Sequence, residues 1–85
     1  MKKLIEEVSG EGLEKLLGEK VLLCANYFYH GKLVGVDDEV VMLEEPSIVY
    51  ETGSWSDPIY KDSQRLPAER WYVRINMIES FGLGK

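Results

Sequence analysis

The sequence contains one cysteine and one histidine among its 85 residues. Cys24 has no partner for a disulfide bond within the chain, so the sequence favours a reducing, cytoplasmic location. Cys24 and His30 together supply only half of the four ligands that a structural zinc site needs. The sequence therefore predicts no metal site and no other cofactor.

Motifs for catalysis are also missing. No serine or cysteine stands in a pattern that would pair it with His30 and an orienting acid, as nucleophilic catalysis requires. The acids at 37–39 are adjacent and lack the spaced ligands and the glycine of a calcium loop. An enzyme would need an acid pair such as Asp37 and Asp38 in a pocket that raises a pKa, and the spacing does not demand one. We expect a protein that is not an enzyme.

Long hydrophobic runs are absent. Spanning a bilayer takes roughly 20 apolar residues, and the run at 21–25 covers about a quarter of that length. Glu6 and Glu7 interrupt the apolar stretch behind Lys2 and Lys3, so no signal peptide is expected. The sequence predicts a soluble protein without membrane contact.

Basic residues are missing between Leu33 and Tyr60, where seven acids occur, whereas Lys61 to Arg74 contains four basic residues and two acids. The net charge of −5 opposes general attraction to nucleic acid or to anionic membranes. The two stretches of opposite charge either lie in solvated loops or complement each other between neighbouring subunits.

The residues that are present suit one small globular domain over 1–85, since 45% are hydrophobic and 11% aromatic. A domain of this size buries only roughly 60% of its unfolded surface, so it often depends on a partner. Helical structure is predicted over 1–18, as two turns or one interrupted helix, with Gly18 in a left-handed cap. The apolar residues at helical spacing are Leu4, Ile5, Val8, Leu13, Leu16 and Leu17.

From residue 20 onward the composition predicts β structure. His30 and Gly31 are expected to form a turn, Pro46 to bend a strand because proline cannot donate to the ladder, and 53–69 to form a long loop. The predicted strands cover about 20–29, 32–36, 40–51, 70–76 and 77–81. The predicted core consists of Val21, Leu23, Leu33, Met42, Val73 and Ile78.

Two segments carry a recognisable pattern. LLGEKV at 16–21 with GKLVGVDD at 31–38 resembles the first motif of Sm and LSm proteins, a leucine-rich helix end, a strand and a Gly-x-Leu-x-Gly-x-Asp bend. WYVRINMI at 71–78 resembles their second motif, whose core is Ile-Arg-Gly. Glycines allow a small sheet to bend, and the aspartate holds a tight turn. The resemblance covers the chain from Leu13 to Phe81 apart from the long loop.

The resemblance implies a mostly β fold, with an N-terminal α-helix followed by a five-stranded, strongly bent antiparallel small barrel. It implies a homo-oligomeric ring of about five to seven copies, joined by strand pairing between subunits. It also implies binding of single-stranded RNA, with Arg74, Asp37 and Asn76 as candidate contacts.

The family's base-contacting positions are altered in this sequence. Glu39 stands where the family usually has an aromatic residue or a histidine that stacks on a base. Val41 replaces an asparagine that hydrogen-bonds the base, and Ile75 replaces the glycine that follows the arginine. An acid repels phosphate and valine offers a base no hydrogen bond, so the usual uridine pocket is expected to be degraded or absent.

The sequence therefore favours a ring-forming scaffold or protein-interaction module whose protein partner it does not identify. The alternative is a single-stranded RNA-binding protein with an atypical site. Large aromatic and apolar residues in the loop and the last strands are the candidate interface residues. They are Trp55, Tyr60, Trp71, Tyr72, Met77 and Phe81.

Overall fold

Six antiparallel strands make up most of the described part of the chain, residues 12–85, in the computed structural model. The strand order is β4-β3-β2-β1-β6, and β5 pairs with β3 beside this path. The strands are β1 Lys20–Cys24, β2 Phe28–Val36, β3 Val40–Glu51, β4 Asp62–Arg65, β5 Arg70–Arg74 and β6 Ser80–Leu83. Two 3-10 turns cover Gly12–Leu16 and Ile75–Met77.

The structure corrects the predicted fold class. The mostly β character is confirmed, but the sheet has six strands instead of five, and it is open because β4 and β6 at its two ends do not pair with each other. The prediction of a small barrel is therefore wrong.

The predicted N-terminal α-helix is not found among residues 12–85, where only a 3-10 turn follows Gly12. The segment between Gly12 and Gly18 is too short to offset the cost of nucleating an α-helix. Gly18 takes a φ of +89°, which confirms the predicted left-handed residue at this point. The rest of the predicted helix, 1–11, lies outside the described residues.

The first hairpin turns earlier than predicted. The chain reverses at 25–27, where the Ala25 amide donates to the Tyr27 carbonyl over 3.0 Å, and Phe28 already begins β2. The predicted turn at His30 and Gly31 is wrong, because both residues lie inside β2. Asn26 supplies the turn chemistry, since asparagine readily adopts tight-turn conformations.

The bend predicted at Pro46 is confirmed. The register between β2 and β3 shifts here, so that Glu45 and Pro46 together face Gly31. Glu45 has a φ of +52°, and the Pro46 carbonyl accepts a hydrogen bond of 2.9 Å from the Leu66 amide. Such a bulge bends the strand and increases its local twist.

The bulge divides β3 between two partners. Residues Val40 to Glu44 pair with β5, and the part of β3 beyond Pro46 pairs with β4, while β2 follows the opposite edge. The predicted loop 53–69 is therefore interrupted by β4. The predicted strand 70–76 ends at Arg74. The strand predicted at 77–81 begins later, at Ser80, and continues to Leu83 as β6.

The oppositely charged stretches meet within the chain. Nitrogen to oxygen distances are 3.3 Å for Lys61–Glu51, 3.9 Å for Arg65–Glu45 and 3.3 Å for Arg70–Glu44. All these side chains are substantially exposed, and such pairs each contribute only about 0 to 1 kcal/mol. They accompany the pairing of β3 with its neighbours and do not drive it.

Two apolar clusters cover the sheet. The prediction that Val21, Leu23, Leu33 and Val73 are buried is confirmed, and Ile78 packs partly buried against them. The prediction that Met42 belongs to the core is wrong, because Met42 is only partly buried and does not join the cluster. The uniformly apolar run at 40–43 hides the register of β3. The main cluster contains Leu13, Val21, Leu23, Leu33, Val41, Leu43 and Val73, and a second contains Leu22, Val49 and Tyr60.

Replacing Gly31 by alanine tests the bulge. A Cβ there would lie 3.0 Å from the Glu44 carbonyl oxygen and 3.2 Å from Leu43 Cβ, so backbone must move. Such overpacking typically costs about 1 to 3 kcal/mol. We expect Gly31→Ala to lower the free energy of unfolding in urea by this amount.

The matched control is Gly82→Ala in β6, where no heavy atom of residues 12–85 other than those of its chain neighbours lies within 4 Å of the added Cβ. This control should stay within about 0.5 kcal/mol of the wild type. Equal stability of the two variants would mean that the bulge does not require glycine.

Candidate functional site

Arg74 stands where β5 passes into the second 3-10 turn. The Ile75 amide donates to the Glu39 carbonyl over 2.8 Å, which ties this passage to the turn between β2 and β3. An open cleft of about 360 Å³ results, lined by Asp38, Glu39, Arg74, Ile75 and Asn76. The structure thus brings together Arg74 and Asn76 from the predicted RNA contacts.

Asp37, the remaining predicted RNA contact, does not line this cleft. Its Oδ1 accepts hydrogen bonds from the backbone amides of Glu39, at 2.7 Å, and Val40, at 2.8 Å. These bonds, first that from Val40 and then that from Glu39, lower the pKa of the Asp37 carboxyl. The expected turn-holding role of Asp37 is confirmed, and this oxygen is already engaged by the backbone.

The charges of the cleft do not favour phosphate. Arg74 is the one cation among its lining residues, and Asp38 and Glu39 contribute exposed carboxylates beside it. Val41, at the position where the family contacts the base, is fully buried in the core. The arrangement offers one guanidinium beside two carboxylates, which oppose the approach of a further anion.

A second cavity, of about 140 Å³, lies on another side of Arg74. Asn26, Tyr29 and Tyr72 contribute to its lining together with Arg74 and Met77. The Tyr29 ring meets the Tyr27 ring edge to face, with 6.3 Å between their centroids. The sequence does not reveal that Tyr29 lies near Arg74, because it places the hairpin turn at His30 and Gly31.

Within residues 12–85, three strands have one neighbour each, namely β4, β5 and β6. All residues of β4 are exposed and polar or charged. By contrast, β6 contains no charged residue, and the region of β5 and β6 exposes large apolar side chains. These are Tyr72, Met77, Phe81 and Leu83, with exposures of 60%, 47%, 43% and 66%.

The predicted interface residues fall into separate places. Tyr72 lies exposed on β5, Phe81 on β6 and Met77 in the turn between them, whereas Trp71 is half-buried against the main core. Trp55 is exposed in the loop before β4, and Tyr60 is buried in the second cluster. Most of the Tyr60 ring is thus used inside the subunit, and sequence reasoning missed Leu83 as an exposed edge residue.

Comparison with protein families, curated proteins and solved structures finds no match for this chain. Within residues 12–85, no helix has the length and hydrophobicity that crossing a membrane requires. The same residues contain no group of three or more His, Cys, Asp or Glu side chains suited to hold a metal. The clefts and strand edges of the described residues are therefore the features that bear on function.

The role of Asp37 predicts a pH-dependent loss of stability. Its carboxylate form stabilises the turn, so this contribution is present at and above the ordinary aspartate pKa and disappears as the pH falls through the lowered value of the folded state. Asp37→Ala should lower the thermal midpoint at neutral pH, and the difference from the wild type should shrink in strong acid.

Asp38→Ala is the control, because it removes the same charge one residue away. Thermal melts followed by circular dichroism between pH 7 and about pH 2 measure both variants. A difference for Asp37→Ala that is independent of pH would contradict the role of the carboxylate.

Proposed function

We propose that the protein is a non-enzymatic subunit of a homo-oligomeric ring and acts as a scaffold or protein-interaction module, as its resemblance to Sm and LSm proteins implies. The observation that supports this proposal most is the pair of apolar strand edges at β5 and β6. The proposal does not require a closed barrel within the subunit.

The two edges are poorly suited to remain in water. An edge strand presents unpaired N–H and C=O groups, and proteins usually protect such edges with charges, proline or a covering element. β4 carries Asp62 and Arg65 and follows this rule. The sequence of β6, SFGL, contains no such residue, and the centre of β5, between Arg70 and Arg74, consists of Trp71, Tyr72 and Val73.

The positions of these edges favour contacts of the head-to-tail kind. β5 borders β3 and β6 borders β1, so the two edges belong to different parts of the strand order. When β5 of one copy pairs with β6 of the next, each copy offers two different surfaces, and the chain of contacts closes into a ring if the rotation permits. Exposed Tyr72 and Leu83 then become interface residues.

Introducing a charge at each edge tests the ring. Tyr72→Lys and Leu83→Lys place a charge on β5 and β6 at side chains that are 60% and 66% exposed, so each monomer should still fold. We expect light scattering at low micromolar concentration and high salt to give a wild-type mass of several times 9.7 kDa, and each variant to dissociate. Backbone pairing and apolar burial resist salt, whereas surface ion pairs do not.

Ile59→Lys is the matched control, because Ile59 is 74% exposed but lies in the loop before β4. It should keep the mass of the wild type. A wild-type mass near 9.7 kDa would contradict assembly. A mass of two subunits would contradict the ring and indicate that identical edges pair in a dimer.

A second candidate function is binding of single-stranded RNA at an atypical site. The observation that favours it is the cavity where Tyr29, Tyr72 and Arg74 meet. Aromatic faces stack on bases, and an arginine neutralises a phosphate. The acids beside Arg74 and the net charge of −5 oppose this function, so it ranks second.

Binding of a short oligouridine separates the two functions. We expect no sub-micromolar affinity at physiological salt, since Glu39 repels phosphate. Any weak binding should fall with salt, weaken in Arg74→Ala and strengthen in Glu39→His. Arg65→Ala on β4 removes another exposed arginine and serves as the control. Sub-micromolar binding by the wild type would make RNA binding the leading function.

A further inference from the structure

The loop between β3 and β4 surrounds the ammonium group of Lys85. The Nζ atom lies 3.0 Å from the carbonyl oxygen of Thr52, 2.8 Å from that of Ser54 and 3.1 Å from that of Ile59. These distances are within the range of good hydrogen bonds. One side chain thus contacts three separate points of the loop backbone.

The number of acceptors matches the chemistry of a primary ammonium. A lysine –NH₃⁺ group has three donors and no acceptor, and three carbonyl oxygens satisfy it completely. Two aromatic rings complete the surroundings, since the Nζ atom lies 4.9 Å from the centroid of the Tyr60 ring and 5.6 Å from that of the Trp55 ring. Both distances permit cation–π attraction.

The loop backbone is folded so that its carbonyls converge. Gly53 takes a φ of +70°, and the Lys61 amide donates to the Thr52 carbonyl over 3.3 Å. The Asp57 amide donates to the Ser54 carbonyl over 3.0 Å. Because a carbonyl oxygen has two lone pairs, each of these oxygens holds the loop and the ammonium together.

The sheet fixes the aromatic wall of this site. Tyr60 is 9% exposed and packs in the cluster of Leu22 and Val49, so its ring does not depend on the ammonium for its position. Trp55 is 68% exposed, and Ile59 lies beside an open cavity of about 430 Å³ that also reaches Lys85. The site is therefore rigid on one side and accessible from solvent on the other.

The segment that carries Lys85 is guided to the site by backbone contacts. The Gly84 amide donates to the Lys20 carbonyl over 2.8 Å, and the Lys85 amide donates to the Tyr60 hydroxyl over 3.0 Å. A Cβ at Gly84 would lie only 2.6 Å from the His30 ring, so glycine is needed for this passage. Burial, and then the positive charge of Lys20, lower the pKa of His30, so the neutral form of the ring is favoured where the segment crosses it.

We propose that residues 52–60 form a binding site for a primary ammonium group, that Lys85 of the same chain occupies it, and that the site accepts another lysine side chain when Lys85 is withdrawn. The three carbonyls select the –NH₃⁺ group, and the two rings select positive charge. Ring formation by the strand edges is independent of this site.

The test uses the full chain with Lys85→Met, which keeps an unbranched apolar stem and removes the charge. Titration with n-butylammonium, followed by amide NMR shifts, should show saturable binding confined to 52–60 and the Trp55 indole. The wild type should bind at least about tenfold more weakly, because its own lysine occupies the site. Absence of saturable binding to folded Lys85→Met would overturn the proposal.

Two controls define the chemistry. Lys61→Met removes a lysine of the same loop whose Nζ atom faces Glu51, and it should bind n-butylammonium as weakly as the wild type. Tetramethylammonium has the charge but no N–H donor, and it should bind Lys85→Met far more weakly than n-butylammonium does. Equal binding of the two ions would overturn the role of the carbonyls.

A measurement on the wild type covers the case in which Lys85→Met does not fold. The ε-methylene protons of Lys85 should resonate upfield of those of the other lysines, because the Tyr60 and Trp55 rings flank them. Random-coil shifts for these protons would overturn occupation of the site by Lys85.

Discussion

The bulge at Glu45 and Pro46 is the constraint on which the rest of the sheet depends. A regular strand would continue along a single neighbour, whereas β3 changes partner at the bulge and pairs with β5 before it and β4 after it. Gly31 makes this possible, because two residues of β3 must fit against one residue of β2. The bulge thus stands between the part of β3 that pairs with β5 and the part that pairs with β4.

Several local features could be predicted from the sequence because their cause is local. Proline lacks a donor, so Pro46 predicts a bend, and Asp37 can bond the amides that follow it, so it predicts a held turn. The left-handed conformation of Gly18 could also be predicted, because glycine adopts positive φ angles without steric cost. Arg74 and Asn76 line one cleft because they are near neighbours in the chain, and their contact with RNA stays a prediction.

Other features depend on contacts that the sequence does not display. Val40 to Leu43 are all apolar, so alternation could not reveal that Val41 and Leu43 face the core while Met42 does not. β4 is entirely polar and forms because β3 offers it a free edge. Gly31 resembles a turn residue in the sequence but serves a close approach inside β2. The contacts of Lys85 with the loop before β4 join residues that are distant in sequence, and no sequence motif predicts them.

The functional surfaces follow from this architecture. The bulge directs β5 and β4 to different parts of one edge of β3, and among residues 12–85 neither strand has a second neighbour. The loop that precedes β4 then extends over the second apolar cluster through Tyr60. The proposed assembly edges and the loop proposed to bind an ammonium group therefore lie on different elements.

The pairing of β6 with β1 has a consequence for how the chain folds. β1, β2 and β3 follow one another through short turns, whereas β6 reaches β1 only after the rest of the sheet has been traversed. Hairpins close in microseconds, but contacts distant in sequence form more slowly because the intervening chain must first lose entropy. We expect the three-strand meander to form first and β1 to keep a bare edge until residues 80–83 arrive. During that interval a neighbouring chain can reach the same edge, so protein concentration affects the yield of correct folding.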